Sequence, residues 1–175
     1  MKSTPSSNKT SSKPGSKDST AIRIGLDAKQ RGKSAEILKA ILANQHVLYL
    51  KTRNFHWNLV GPRFHSLHLF LEEQYQRLAK AIDETAERVR MLGEVSPGSM
   101  QEFLDEASLK ECSGEAIHGL DAISVLRADH ESVIRELRES IDKLSDLGDA
   151  GTEDFVTGLI QDHEQIAWML RSHEA

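Results

Sequence analysis

The sequence predicts an all-α fold, a bundle of four long amphipathic helices, on three observations. From about Ser34 onward apolar residues recur at spacings of three and four, the period of one helix face. Nothing alternates with period two, so strands are not indicated. Glycines punctuate the pattern, with Gly61-Pro62, Gly93 and Gly148 standing where three of the four stretches stop. A chain of 175 residues is ample for a proper core. No apolar run approaches the ~20 residues of a membrane span, and the first twenty residues hold no apolar leader segment. The single cysteine, Cys112, excludes an intrachain disulfide framework and a thiolate zinc site. A soluble protein of the reducing cytoplasm is the expectation.

The elements follow in order. Residues 1–20 are rich in Ser, Thr and Lys with two prolines and hardly any apolar side chains, a composition that cannot offset chain entropy by burial. We read residues 1–33 as a flexible basic arm and 34–175 as the bundle domain. The first helix is expected from Ser34 to Val60, carrying Ile37, Leu38, Ile41, Leu42, Leu48 and Phe55. The second runs from Phe64 to Leu92, with Leu67, Leu71, Tyr75, Leu78, Ile82, Val89 and Leu92 as its apolar stripe. A connector containing Ser96-Pro97-Gly98 follows, with a short helix around Met100–Ala107. The third helix is expected from Ser113 to Leu147, where Ile134, Leu137, Ile141 and Leu144 repeat at helical spacing. The fourth begins at Thr152 as N-cap, with Glu153 and Asp154 in its first turn, and reaches about His173. Four long helices with one extended connector midway describe a bundle of the ferritin-like kind.

The second helix carries His68, Glu72, Asp83 and Glu87. At 100° per residue these fall at about 0°, 40°, 60° and 100°, one narrow stripe, centred about 120° from the apolar one. They therefore look at solvent or at another subunit. Glu72 and Asp83 lie about 16 Å apart along a helix axis, whereas metal–ligand bonds are only ~2 Å. One helix cannot bring both pairs to one ion; two antiparallel copies about a two-fold axis can, forming two identical sites. His56, just before the Gly-Pro turn, reaches the His68 end. Imidazole with carboxylate suits iron, manganese or zinc. On spacing alone the same stripe also fits a solvated flank.

The segment from His56-Trp57-Asn58 through His68 and Glu72, followed by Asp83, Glu87-Arg88 and Gly93, resembles the Dps family, the miniferritins or DNA-binding proteins from starved cells. The likeness extends over roughly residues 35–173, including Gly148-Asp149, Thr152 to Asp154 and Ala167-Trp168. It implies a hollow homo-dodecamer with ferroxidase sites at two-fold interfaces. There iron(II) is oxidised, preferably by hydrogen peroxide, and iron(III) mineral is stored inside. Carried over, His56, His68 and Glu72 come from one subunit, and Asp83 and Glu87 from its mate. Glu72 stands where many members carry Asp, and zinc is accepted by the same ligands. Trp57 becomes a candidate electron donor, or an ordinary interface aromatic. Asp149 and Asp154 match positions lining a pore that admits iron, with Gly158 where some relatives place another acid; the other reading of Asp154 is complementing the helix dipole.

Charge is divided along the chain. Residues 1–33 hold eight basic and two acidic side chains, net +6, leaving fourteen basic and twenty-five acidic in the remainder, net −11. Lys2, Lys9, Lys13, Lys17 and Arg23 are irregularly spaced on the arm without aromatics, which suits phosphate neutralisation and not base readout. Non-specific DNA binding through the arm, and a place near the nucleoid, are the expectation; the alternative is a non-enzymatic particle that coats DNA or sequesters metal. A ferritin with ligands inside one bundle is a rival, but the chain has one Glu-x-x-His pair, Glu115 and His118, and no second on the fourth helix. His46, His118, His130, His163 and His173 are expected at the surface, His163 being flanked by Asp162 and Glu164.

Overall fold

A computed structural model describes residues 21–174. The long helices are α1 (Ala28–Asn58), α2 (Phe64–Met91), α4 (Gly119–Asp146) and α5 (Ala150–Glu174), with a short α3 (Met100–Glu106) in the connector. Two-residue strands β1 (Leu59–Val60) and β2 (Ile117–His118) pair in parallel. This is the ferritin-like bundle that the sequence predicts.

Contacts between element ends fix the directions. At the start of α1, Arg31 Nε donates to the Leu92 carbonyl at the end of α2 (3.1 Å), and Gln30 Nε2 to Leu147 at the end of α4 (3.0 Å). At the other end, Arg63 Nη1, next to the start of α2, donates to His173 O in α5 (2.8 Å). Helices α1 and α5 therefore run one way, α2 and α4 the other, and the connector crosses the length of the bundle. Its seam holds Leu38, Leu48, Leu71, Val89, Leu126, Leu137, Leu144 and Leu170, all nearly or fully buried, each worth about 1.5–3 kcal/mol of apolar transfer.

Four local expectations are corrected. First, α1 begins at Ala28 rather than at Ser34. Asp27 and Gln30 form a reciprocal capping box, each side chain bonding the other's amide at 2.8 Å. Second, α4 begins at Gly119 rather than Ser113. Asn54 Nδ2 donates to the carbonyls of Cys112 (3.1 Å) and Ser113 (2.9 Å), holding the chain out of helix before the β2 pairing. That pairing is itself a strand contact, and two residues are too short to show alternation. Third, Thr152 is buried inside α5, and Asp149 is the cap, its carboxylate accepting from the Thr152 amide (3.1 Å) and hydroxyl (2.7 Å). Gly93 and Gly148 do end α2 and α4, with φ of 92° and 70°. In both, the next residue's amide returns to a carbonyl five residues back, the Schellman arrangement.

The fourth correction concerns two histidines. His130 of α4 and His163 of α5 are buried, 1% and 2% exposed, with their Nδ1 atoms 2.9 Å apart. Sequence spacing shows neither their burial nor their pairing across two helices. Burial pushes both imidazoles down, His130 well below and His163 to about 4; the partner imidazole and Arg77 add to the fall at His130, and Asp162 opposes it at His163. The unfolded chain takes up these protons below the ordinary value of 6.5 while the folded one does not. Stability is thus full above pH 6.5 and falls toward pH 4, at up to about 1.4 kcal/mol per pH unit for each imidazole. Thermal unfolding against pH will show this fall, and it will be shallower in His130→Leu/His163→Leu.

Candidate metal site

The turn between α1 and α2 brings two imidazoles together. His56 lies in the last turn of α1 and His68 in the second turn of α2, and residues 61–63 reverse the chain between them, with Gly61 at φ 110°. Their rings stack with centroids 3.7 Å apart and planes 19° from parallel. His56 Nδ1 lies 2.8 Å from the His68 carbonyl oxygen, and His68 Nδ1 lies 2.9 Å from that of His56. A carbonyl oxygen only accepts, so each Nδ1 carries the proton and donates. Both Nε2 lone pairs are thereby left for a cation, and both rings are held in orientation by the carbonyls behind them, as ligating histidines commonly are. The His56 carbonyl is free to accept because the last turn of a helix has no internal donors for it.

Two aromatic rings flank the pair. Phe64 stacks on His68 at 5.1 Å, and Tyr75 meets His56 edge-on at 5.2 Å and 80°. Glu72, one turn beyond His68, is half-buried, and its Oε1 accepts from the Tyr75 hydroxyl at 3.4 Å. His56, His68 and Glu72 thus gather at one end of α2. Asp83 and Glu87 are exposed farther along it, about 16 Å from Glu72 at its nearer end. Among the described residues no three His, Cys, Asp or Glu side chains of one chain form a metal-holding group. Glu115 and His118 precede α4 and share no helical turn.

Sequence reasoning did not find Tyr75 or Arg53 in this neighbourhood. The Arg53 guanidinium sits 5.6, 5.0 and 4.9 Å from the rings of Tyr49, Trp57 and Tyr75, and Arg53 Nη1 donates to the Tyr49 hydroxyl at 2.7 Å. The signals were there. Tyr49, Arg53 and Trp57 follow at i, i+4, i+8, and Glu72 and Tyr75 at i, i+3, spacings that put side chains side by side on a helix. Trp57 itself is 56% exposed.

Comparison with known proteins places the chain. Residues 35–174 match the family described as the ferritin-like domain. The chain is 35% identical to DNA protection during starvation protein 2 of Bacillus anthracis over 138 residues, 78% of this chain and 93% of that one. The chain belongs to the Dps family. An uncharacterised low temperature-induced protein of Nostoc sp. is 47% identical over 152 residues, 86% of this chain and 85% of that protein. The crystal structure of a Dps protein from Vibrio cholerae O1 superposes with a TM-score of 0.84 at 32% identity, covering 91% of this chain and all of that one. No described helix of this Dps chain is long and apolar enough to cross a membrane.

The two acids that the Dps resemblance assigns to a pore are placed differently. Asp154 is exposed on α5. Asp149 is 3% exposed and is engaged by Thr152 and by Arg88 Nη2 at 3.3 Å. Burial raises the Asp149 carboxyl, but the Thr152 bonds and the Arg88 charge outweigh it and leave it below the usual carboxylate range. Of the basic arm, Arg23 is exposed, while Lys2, Lys9, Lys13 and Lys17 lie outside the described residues. Asp149→Ala will lower stability by about 1–2 kcal/mol through the lost cap, whereas Asp154→Asn will leave it within about 0.5 kcal/mol; thermal unfolding of each variant checks the contrast.

Proposed function

We propose that this Dps-family protein is a ferroxidase and iron-storage shell, with iron as substrate and cargo. The observation that carries this reading is the His56–His68 pair, whose Nδ1 protons are spent on carbonyls so that two Nε2 donors remain. With Glu72 they supply nitrogen and carboxylate ligands from one chain; Asp83 and Glu87 of a two-fold mate supply the rest. The Vibrio cholerae structure is described as belonging to a superfamily of ferritin-like diiron-carboxylate proteins, which supports two irons per site. Two ferrous ions held close deliver two electrons to one hydrogen peroxide, giving water without a one-electron product. Iron binds neutral imidazoles and ionised carboxylates, so uptake weakens in acid. A closed assembly of twelve copies would enclose the mineral, with Asp154 lining the route inward, and zinc would compete for the same ligands.

His68→Ala/Asp83→Ala removes one ligand from each half. It will abolish peroxide-dependent iron oxidation, followed by near-UV absorbance, while native mass shows the assembly intact; unchanged kinetics would end the assignment.

DNA protection is the second part of the proposal. The net charge of +6 over residues 1–33, against −11 for the rest, puts any affinity for phosphate in the arm. The Bacillus anthracis relative is named for DNA protection during starvation, which supports this part. Many arms on one particle bind through avidity even when each is weak. In gel retardation the full chain will bind DNA without sequence preference and lose it steeply with salt. A chain lacking residues 1–23 will not retard DNA, and equal retardation would refute the arm's role.

A further inference from the structure

We propose that Arg53 binds the hydrogen peroxide of the site, holding it beside the metal through one free edge of its guanidinium. The inference rests on the ferroxidase reading above. Arg53 stands in the same groove between α1 and α2 as the candidate ligands. It precedes His56 by three residues on α1, and Glu72 follows His68 by four on α2. The two helices run antiparallel from the turn at 61–63, so these steps of about 4.5 and 6 Å bring Arg53 and Glu72 to one level. Tyr75 links them: its ring lies 4.9 Å from the guanidinium, and its hydroxyl donates to Glu72 Oε1 at 3.4 Å.

The guanidinium is fixed but incompletely used. The rings of Tyr49, Trp57 and Tyr75 surround it at 5.6, 5.0 and 4.9 Å, and Nη1 donates to the Tyr49 hydroxyl at 2.7 Å. Nε is buried and has no acceptor, and among the described residues no carboxylate pairs with Arg53. Nε–H and Nη2–H together form the edge of the fork that grips two oxygen atoms side by side. A buried N–H without an acceptor is costly, so this edge marks the place of a ligand that brings one. The charge points the same way. A guanidinium does not lose its proton, and a permanent cation beside a cation site weakens metal binding. It suits a step in which negative charge appears next to the metal.

Hydrogen peroxide fits both features. Each of its oxygens accepts a hydrogen bond, so the Nε and Nη2 donors hold it at both ends. Dioxygen is apolar and a poor acceptor, and the same edge gives it little. The step balances. Two ferrous ions give one electron each, the O–O bond breaks, and two hydroxides form. Each hydroxide takes a proton from solvent, leaving two ferric ions and two waters. Arg53 keeps its protons throughout and stabilises the hydroxide charge as it develops. It thereby sets a preference for peroxide over dioxygen.

In the full assembled protein loaded with ferrous ion, oxidation is followed by near-UV absorbance over a range of hydrogen peroxide concentrations and, separately, in oxygenated buffer. Arg53→Gln will raise KM for peroxide and lower the peroxide-to-dioxygen rate ratio, each about tenfold or more. Arg53→Lys, which keeps the charge but not the fork, will recover part of that ratio. Anaerobic ferrous-ion binding will be no weaker in either variant and native mass will be unchanged, which separates oxidant binding from loss of structure. An unchanged peroxide KM in Arg53→Gln overturns the assignment and leaves the ferroxidase reading standing. So does a joint fall of both oxidant rates and native mass, the result if Arg53 instead holds a carboxylate of a second copy. Failure of the native protein to oxidise iron with either oxidant removes the ferroxidase reading and this inference with it.

Discussion

The rise of an α-helix decides what α2 can do with its acids and histidines. Glu72 and Asp83 are eleven residues apart on one uninterrupted helix, which separates them by about 16 Å. No side-chain rotamer spans that gap to a common ion. Within one chain the two pairs cannot meet at one ion, and a metal bound by both would sit between chains. The bundle core is arranged around this: α2 turns Leu67, Leu71, Leu78 and Val89 inward, while Asp83 and Glu87 face out.

The His56–His68 end of α2 depends on a local exchange. His56 and His68 each borrow the other's backbone carbonyl, so tautomer and ring angle are set by the fold itself. The exchange also ties α1 to α2 across a three-residue turn. Phe64 and Tyr75 pack against these two rings, Phe64 from the exposed side.

Much of this was legible in the sequence because it is written in local periodicity. Helical spacing located all four long helices and the short one, and the stripe of His68, Glu72, Asp83 and Glu87 stood out from the apolar face. What escaped was of two kinds. One is capping chemistry, where a single side chain decides the first turn: Asp27 extended α1, and Asp149 took the place expected of Thr152. The other is contact between residues far apart in sequence. Nothing in the spacing shows that Asn54 holds residues 112 and 113 out of helix, that His130 meets His163 in the core, or that Asp149 turns inward to Arg88. Tyr75 was visible only as a member of the apolar stripe, since its hydroxyl contact needs the real direction of the side chain.

The early start of α1 separates the root of the basic segment from the imidazole pair. Because Asp27 caps it, the charged N-terminal segment is rooted beside the last turns of α2 and α4, about 42 Å along α1 from His56. That distance is several times the screening length of about 8 Å in physiological salt. Within one protomer, a charge placed at that root is screened before it reaches the imidazoles, so the electrostatics around His56 and His68 are set by their own surroundings.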